Sequence, residues 1–362
     1  AGAGAQQSHH GCGDGFHRPW HGAGRAPLMA FVRGIGVHLP ESRQSSAEIA
    51  AASGLPEAIV RDKLGIHAKT QPGPEDHTCA MGVRAGRAAL QDAGLQPEAL
   101  DVVISINEEH KEFPVWTSGI SLAHQLGAQR AFAFDIGQKC GTGVLGLKLA
   151  ADMLHSDSNL NTALVAGGYR NGDLVDYTDP NVRFLYNLGA GGGAAVVSRE
   201  GPGHELLGSA FVTDGRFAED VIVPVGGTRQ PLSPSNLSEY RLQVPQMEAM
   251  RARMAECSVP NFLAVVRDAV ARSGAQVSDI AYLAMLHMKR SAHEAILAEL
   301  GLPEQRSIYL QDYGHIGQVD GFLSLSLARE RGLLRPGDLV VIVAAGIGYV
   351  WNAIALRWGE QP

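Results

Sequence analysis

The chain has 362 residues, of which 45% are hydrophobic and 19% are charged, as expected for a globular enzyme with a large core. Its formal net charge of −7 at pH 7, without a basic stripe, argues against a nucleic acid or a membrane surface as partner. It has no run of about 18 apolar residues that would span a membrane. Its four cysteines lack zinc-site spacing, so we expect a cytoplasmic protein without a metal.

The elements begin after residues 1–29, a glycine- and histidine-containing stretch without helical or strand periodicity that we interpret as a disordered leader or tag-like extension. Hydrophobic patterns then predict strands and helices in alternation. In chain order they are the strand "FVRGIGVHLP", short helices over 45–56 and 56–66, a helix over 79–95, a strand over 100–107, the loop "EEHKEFPVW", a helix over 117–127 and the strand "AFAFDIG". This alternation predicts an α/β fold with covered sheets.

An internal repeat relates the two halves of the chain. The segment "GVLGLKLA" and the strand "ALVAGG" reappear as "GFLSLSLA" and "VIVAAG", and both pairs are offset by 178 residues (143 to 321 and 163 to 341). We therefore predict two duplicated halves, residues 30–200 and 201–362, that pack about a pseudo-twofold axis. At this offset Cys140 corresponds to Gln318, so the loop "DYGHIGQVDG" should face the helix that follows Cys140.

Cys140 stands in "AFDIGQKCGTGVLGLKLAADML", between a predicted strand and a glycine-containing helix. A helix N-terminus favours the thiolate, because its backbone N–H groups and dipole stabilise negative charge. The small residues that follow leave the sulfur open to attack a substrate. The pattern is therefore typical of a nucleophile, although a free cysteine is also common as a small buried hydrophobic residue.

Three further regions carry candidate catalytic groups. His287 follows the buried strand "IAYLAML" and is suited to general acid–base work or to donation toward an oxyanion. Asp320 could cap the next helix or orient His287, and His315 in the same loop could donate to an oxyanion. The turn "GIGYVW" offers backbone N–H groups that could stabilise an oxyanion together with the Cys140 amide.

These motifs resemble, in their order and spacing, those of β-ketoacyl-acyl-carrier-protein synthase III, a thiolase-fold family. The resemblance covers about 31–358 and rests on "FPVWTSGISLAHQLG", "AFDIGQKCGTGVLGLKLA", "LGAGGGAAVV", "LHMKR", "YGHIGQVDGFLSLSLA" and "GIGYVWNAIALRW". It implies a thiolase-like α/β fold of two duplicated halves in αβαβα layers. It also implies a homodimer and an acyl-CoA or acyl-carrier-protein thioester as substrate, with no tightly bound cofactor.

The resemblance implies roles for individual residues. Cys140 becomes the acyl-accepting nucleophile and His287 the family's histidine, with the oxyanion bound by the backbone N–H groups of Cys140 and Ile347. Phe113 matches a loop that reaches into the partner's acyl pocket, and the loops around Trp116 shape the substrate pocket.

The donor side of the family's site is altered in this chain. Lys63, Lys289 and Arg290 are the candidates for contact with the donor's phosphates. Ile59 stands where the family has an aromatic residue that stacks on the adenine of coenzyme A. A carrier-protein thioester, which has no adenine, therefore becomes the more plausible donor.

Departures from the family leave two mechanisms open. His315 replaces an asparagine, and Met288, Lys289 and Arg290 replace Gln-Ala-Asn. Either His287 and His315 both donate to a thioester enolate, which supports decarboxylative carbon–carbon bond formation, or Asp320 holds His287 in a Cys–His–Asp arrangement. The second arrangement resembles synthase III-like acyltransferases of antibiotic pathways. It is favoured here, since a carboxylate partner raises histidine basicity.

A non-catalytic partner subunit with the same fold is the remaining alternative. Retention of Cys140 in its open Gly-Thr-Gly turn argues against it.

Overall fold

The computed structural model describes residues 30–360, and the predicted leader lies outside them. The helices are α1 Ser46–Ser53, α2 Thr78–Asp92, α3 Ser118–Leu126, α4 Thr142–Ser156, α5 Met247–Arg272, α6 Arg290–Leu300 and α7 Asp320–Glu330. The strands are β1 Phe31–His38, β2 Arg43–Ser45, β3 Ala68–Thr70, β4 Val102–Ser105, β5 Phe132–Asp135, β6 Thr162–Tyr169, β7 Gly191–Ser198, β8 His204–Thr213, β9 Ile280–Met285, β10 Leu339–Gly346 and β11 Val350–Arg357.

The large sheet consists of two similar halves joined in the middle. Its strand order is β5-β4-β6-β7-β1-β8-β11-β10-β9. In the first half β4 pairs in parallel with β5 and β6, and β7 runs antiparallel to β6 and β1. In the second half β9 and β10 are parallel, and β11 runs antiparallel to β10 and β8. The short β1–β8 pairing links the halves.

Helices cover both faces of each half, which explains why β4, β6 and β7 are buried along their whole length. α2 packs on β1, β6 and β7, and α5 packs on β8, β10 and β11. Between the halves lie α4, which contacts β6, β7, β10 and β11, and α7, which contacts β1, β7, β9 and β10. The resulting layers are helix, sheet, helix, sheet and helix, and the fold is the thiolase-like αβαβα arrangement.

The two central helices and the turns before them correspond at one constant offset. A 3₁₀ turn spans Lys139–Gly141 before α4, and another spans Gly317–Val319 before α7. α4 begins at Thr142 and α7 at Asp320, which are 178 residues apart. The two turns touch each other, so the sequence repeat brings two equivalent helix starts together at the centre of the molecule.

None of the helices in residues 30–360 is both long enough and apolar enough to cross a bilayer.

Candidate active site

Cys140 lies in the 3₁₀ turn that precedes α4 and is buried, with 7% of its surface exposed. Lys139 has φ of +52°, which non-glycine residues rarely adopt and which is common next to functional groups. The Thr142 hydroxyl accepts from Gln138 N at 2.8 Å and donates to Lys139 O at 2.5 Å. Asn352 Nδ2 donates to Gly141 O at 2.9 Å. The turn that carries the sulfur is therefore fixed from both sides.

Asp320 is the first residue of α7, and its carboxylate accepts hydrogen bonds from the segments around the loop that faces this turn. Its Oδ2 accepts from His315 Nδ1 at 2.6 Å and from the His287 backbone N at 2.7 Å. Its Oδ1 accepts from Ile316 N at 2.6 Å. A carboxylate at a helix N-terminus is favoured by the helix dipole, and these three donors fix it further.

His315 connects this carboxylate to the nucleophile. One ring nitrogen donates to Asp320, and the charge of the ring acts on the nearby Cys140 thiol. The backbone of His315 is held by Asn187 O at 2.7 Å and by Gly189 N at 2.8 Å. Cys140, His315 and Asp320 thus form an electrostatically coupled group inside the protein.

Charge interactions among Cys140, His315 and Asp320 favour proton transfer from the sulfur to the imidazole ring. Burial opposes a charged His315 ring, but Asp320 and Cys140 outweigh it and raise the pKa of His315 well above its ordinary value. Burial raises the pKa of the Cys140 thiol, and among its neighbours His315 lowers it. These charges make His315 the candidate acceptor of the Cys140 proton.

His287 occupies a different environment from the one predicted. Its Nε2 donates to Gly65 O at 3.0 Å, and its Nδ1 accepts from Asn187 Nδ2 at 2.9 Å. Burial lowers the pKa of His287 to about 4, so the ring is neutral at pH 7. Asp320 therefore holds the ring of His315 and only the backbone of His287, which corrects the expectation that Asp320 orients the His287 ring.

Glu108 is a second acidic group beside the sulfur, and the sequence analysis missed it. Its Oε1 lies 3.8 Å from Cys140 Sγ, and its Oε2 accepts from Asn171 Nδ2 at 2.7 Å. Both residues follow the carboxyl end of a strand, Glu108 after β4 and Asn171 after β6. Strand carboxyl ends are where sites gather in open α/β sheets, so this signal was present in the sequence.

The predicted oxyanion turn lies against the nucleophile. A Cβ on Gly346 would come within 3.0 Å of Cys140 N and 2.8 Å of Gln138 O, so only glycine allows this approach. The backbone at Gly346, which precedes Ile347, thus runs beside the Cys140 amide.

The predicted substrate-pocket residues lie at the surface of this chain. Phe113 is 62% exposed and contacts Trp116 edge to face, with 5.5 Å between ring centroids. Trp116 packs on the apolar cluster between α2, α3 and β4. In this chain Phe113 is therefore exposed, and Trp116 is partly buried beneath it.

The predicted phosphate-binding residues lie on two neighbouring segments. Lys63 ends a short π-helical turn, and Lys289 and Arg290 begin α6. The His287–Gly65 hydrogen bond joins these segments. Arg290 stacks over Tyr309, at 4.3 Å from the ring centroid, and donates to Gln311, whereas Lys63 and Lys289 are exposed. Within residues 30–360 no group of three or more histidine, cysteine or acidic side chains is arranged to hold a metal.

Comparisons with known proteins agree with this architecture. Residues 134–215 match the family model of 3-oxoacyl-[acyl-carrier-protein] synthase III, and residues 270–358 match the model of its C-terminal part. A β-ketoacyl-[acyl-carrier-protein] synthase III from Symbiobacterium thermophilum is 28% identical over 91% of this chain and 98% of its own length.

Two solved structures have the same fold over nearly the whole chain. The Pseudomonas aeruginosa 3-oxoacyl-(acyl carrier protein) synthase III is 25% identical, covers 92% of this chain and 99% of its own, and has a TM-score of 0.79. The priming β-ketosynthase of the R1128 polyketide pathway is 24% identical, covers 94% of this chain and 100% of its own, and has a TM-score of 0.78.

The chain belongs to the ketoacyl synthase III family. Members of this family are enzymes that transfer acyl groups through a cysteine, so the chain is an acyl-transferring enzyme with a thiolase-like fold. The reaction that we propose is argued from the arrangement of Cys140, His315 and Asp320, which we call the triad.

Proposed function

We propose that this synthase III-type enzyme takes an acyl group from a carrier-protein or CoA thioester onto Cys140 and passes it to a hydroxyl, amine or thiol acceptor. The observation that carries the proposal is the 2.6 Å hydrogen bond between His315 Nδ1 and Asp320 Oδ2, in a ring whose charge is coupled to Cys140. A general base oriented by a carboxylate is the arrangement that activates such nucleophiles.

In the first half-reaction Cys140 Sγ attacks the thioester carbonyl as its proton passes to His315. The Asp320 carboxylate stabilises the imidazolium that forms. The backbone N–H groups of Cys140 and Ile347 would bind the oxyanion, and collapse of the tetrahedral intermediate breaks the bond to the donor sulfur. His315 then returns the proton to the departing thiol, which leaves acyl-Cys140 and a neutral triad.

In the second half-reaction His315 acts as a base toward the acceptor. It removes the proton from the hydroxyl, amine or thiol that attacks the acyl carbon, and it then returns that proton to the Cys140 sulfur. Asp320 supports both steps, because its bond to Nδ1 leaves Nε2 of the neutral ring as the nitrogen that accepts a proton. Each acyl group is transferred without net proton loss, and no carbon–carbon bond forms.

Decarboxylative condensation, in polyketide or fatty-acid biosynthesis, is the second candidate, and the names of the relatives favour it over acyl transfer. That reaction needs two neutral donors directed at one enolate oxygen. In this site the Nε2–H of His287 is used by Gly65 O, and the amide N–H₂ of Asn187 is used by His287. Of the two histidines, His315 is the one whose charge acts on the Cys140 thiol, and Asp320 raises the pKa of His315. The site therefore supports acyl transfer more directly.

The donor is proposed to be a carrier-protein thioester. Ile59 cannot stack on an adenine ring, whereas Lys63, Lys289 and Arg290 lie on adjoining segments that could contact a phosphopantetheine phosphate. A homodimer, with the exposed Phe113 directed at the partner, stays a prediction from the sequence. A cytoplasmic location and a role in antibiotic or other natural-product biosynthesis also stay predictions.

The decisive experiment starts from the isolated acyl-Cys140 enzyme. The acyl-enzyme is incubated with a malonyl thioester or with a panel of alcohols, amines and thiols, and CO₂ release and products are measured. We expect acyl esters, amides or thioesters without stoichiometric CO₂. A β-ketoacyl product with one CO₂ per turnover would instead establish the condensation, and a Cys140→Ala variant gives the background of both assays.

A further inference from the structure

Glu108 is buried beside Cys140 and has only two hydrogen-bond partners among the described residues. Asn171 donates to Oε2 at 2.7 Å, and the Cys140 thiol donates to Oε1 at 3.8 Å. Glu108 is 5% exposed and Asn171 is 8% exposed, so neither is hydrated as a surface group is. The oxygen nearest the reacting sulfur thus depends on the thiol proton for its hydrogen bond.

Acylation of Cys140 removes that proton. The proton moves to His315 and then to the departing thiol, and a new carbon–sulfur bond takes its place, so Oε1 loses its donor. Asn171 Oδ1, in the same cluster, has no donor even before the reaction. Buried polar atoms without partners carry the full cost of their desolvation, and the acyl-enzyme therefore gains from an acyl group that supplies hydrogen bonds.

The charged neighbours of Glu108 do not meet this need. Lys139, Glu109 and His315 are the titratable side chains that influence it, together with Cys140. The Lys139 amine, however, pairs with Glu109, and His315 donates to Asp320. Glu108 is thus not part of an ion pair among residues 30–360.

We propose that Glu108 and Asn171 form a polar acyl subsite that selects acyl groups bearing a hydroxyl on the carbon α or β to the thioester carbonyl. The proposal rests on Cys140 being the acyl carrier of the proposed function, and it names the acyl class. The 3.8 Å separation between Oε1 and Sγ limits the reach to these carbons.

A hydroxyl suits either protonation state of Glu108. It donates to the carboxylate or to Asn171 Oδ1, and it accepts from the carboxylic acid. Burial raises the pKa of Glu108, which favours the acid form more than water does. Purely aliphatic acyl groups offer neither a donor nor an acceptor at these positions.

The test compares thioesters that differ by a single hydroxyl. Pantetheine thioesters of lactate and propionate form one pair, and those of 3-hydroxybutyrate and butyrate form the other. Acylation of Cys140 is followed by intact mass in single turnovers of the full-length enzyme. We expect the hydroxylated member of at least one pair to react about tenfold faster in the wild type, as one buried hydrogen bond allows.

Variants separate this role from a structural one, because the readout is a ratio of two rates in the same protein. Glu108→Leu should bring the ratio to one or below, whereas Glu108→Gln, which still donates and accepts, should keep a ratio above one. Glu98→Gln, a control at an exposed glutamate in the turn Pro97–Ala99, should retain the wild-type ratio.

A wild-type ratio near one for both pairs would overturn the proposal, whatever the variants do. An unchanged ratio in Glu108→Leu would overturn it as well. If no thioester acylates Cys140, the proposed function fails too, whereas equal acylation within each pair rejects only the polar subsite.

Discussion

The two buried histidines of the active-site region differ mainly in the charge of their partners. The ring of His287 bonds only neutral groups, the Gly65 carbonyl and the Asn187 amide, and burial lowers its pKa to about 4. His315 is just as deeply buried, yet a carboxylate 2.6 Å away, together with Cys140, raises its pKa well above the ordinary value. One carboxylate therefore decides which ring can accept a proton.

Asp320 contacts both histidines, but in different ways. Asp320 Oδ2 accepts from the ring of His315 and from the backbone of His287, so it fixes the position of His287 without changing its hydrogen-bonding partners. We infer that His315 is the base of the reaction and that His287 is a structural residue. Four predictions test this division.

The largest effect is expected from loss of the base. His315→Ala should slow acylation of Cys140 by about 10²- to 10⁴-fold, the usual contribution of general acid–base catalysis. His287→Gln should stay near the wild-type rate, because glutamine can donate to Gly65 O and accept from Asn187. Single-turnover acylation measured by intact mass gives both rates. The reverse ranking, with His287→Gln the slower variant, would return the catalytic role to His287.

Replacement of the carboxylate should have the next largest effect. Asp320→Asn places an amide N–H₂ or a neutral oxygen opposite His315 Nδ1 and removes the charge that supports the imidazolium. We expect a loss of about 10²-fold in acyl transfer, less than for His315→Ala because the ring itself remains. The apparent pKa of His315, read from the pH profile of Cys140 alkylation, should fall.

The controls for this prediction concern folding as well as rate. Asp320 also accepts from Ile316 N and His287 N, so circular dichroism must show that the variant is folded. An alkylation profile that coincides with that of the wild type would remove Asp320 from proton transfer.

The third prediction concerns how the free energy of unfolding depends on pH. The contributions of the two histidines to this free energy change with pH in opposite directions. The folded-state pKa of His287 is lowered from 6.5 to about 4, so its contribution is present above pH 6.5 and is lost as the pH falls toward 4. At 1.36 kcal/mol per unit, the loss amounts to about 3 kcal/mol. For His315, whose pKa is raised, the contribution is present below about pH 6.5 and is lost as the pH rises through the folded-state value.

His287→Gln isolates the first of these contributions, since glutamine does not titrate. Urea unfolding at pH 7 and at pH 4.5 should show that the variant loses less stability on acidification than the wild type does. His67→Gln, at a partly exposed histidine, is the control and should follow the wild type. Equal acid sensitivity of His287→Gln and the wild type would mean that His287 is not kept neutral in the folded protein.

Much of the fold could be predicted from the sequence, because helices and strands show in local apolar patterns and the two halves repeat the same segments. Apolar periodicity indicated the elements, and the 178-residue repeat predicted that the starts of α4 and α7 meet, as the structure shows. Strand order in the sheet and the layer of each helix depend on long-range packing. For those features the family resemblance was the only guide.

The site was less predictable, because it depends on side-chain directions that spacing does not encode. His315 and Asp320 are five residues apart in one loop, whereas His287 is 33 residues away from Asp320, yet both histidines hydrogen-bond to Asp320. Only the three-dimensional structure distinguishes a ring contact from a backbone contact. Glu108 lies in a loop and Asn171 begins the 3₁₀ turn Asn171–Leu174. Neither belongs to a motif, and their position at strand ends was the single available signal.

The smallest expected effect tests whether burial or hydrogen bonding keeps His287 neutral. The Tyr309 ring lies 5.1 Å from that of His287, and its hydroxyl donates to Met288 O at 2.7 Å. Tyr309→Phe removes one hydrogen bond and should cost about 1 kcal/mol in the free energy of unfolding, without altering acyl transfer or acid sensitivity.

Tyr309→Ala is the matched variant, since it also removes the ring and opens His287 to water. Burial is the largest cause of the lowered pKa of His287, so this variant should raise that pKa toward 6.5 and lose less stability between pH 6.5 and 4. Urea unfolding across this pH range measures both variants. If Tyr309→Ala keeps the acid sensitivity of Tyr309→Phe, the bonds to Gly65 and Asn187, rather than burial, keep the ring neutral.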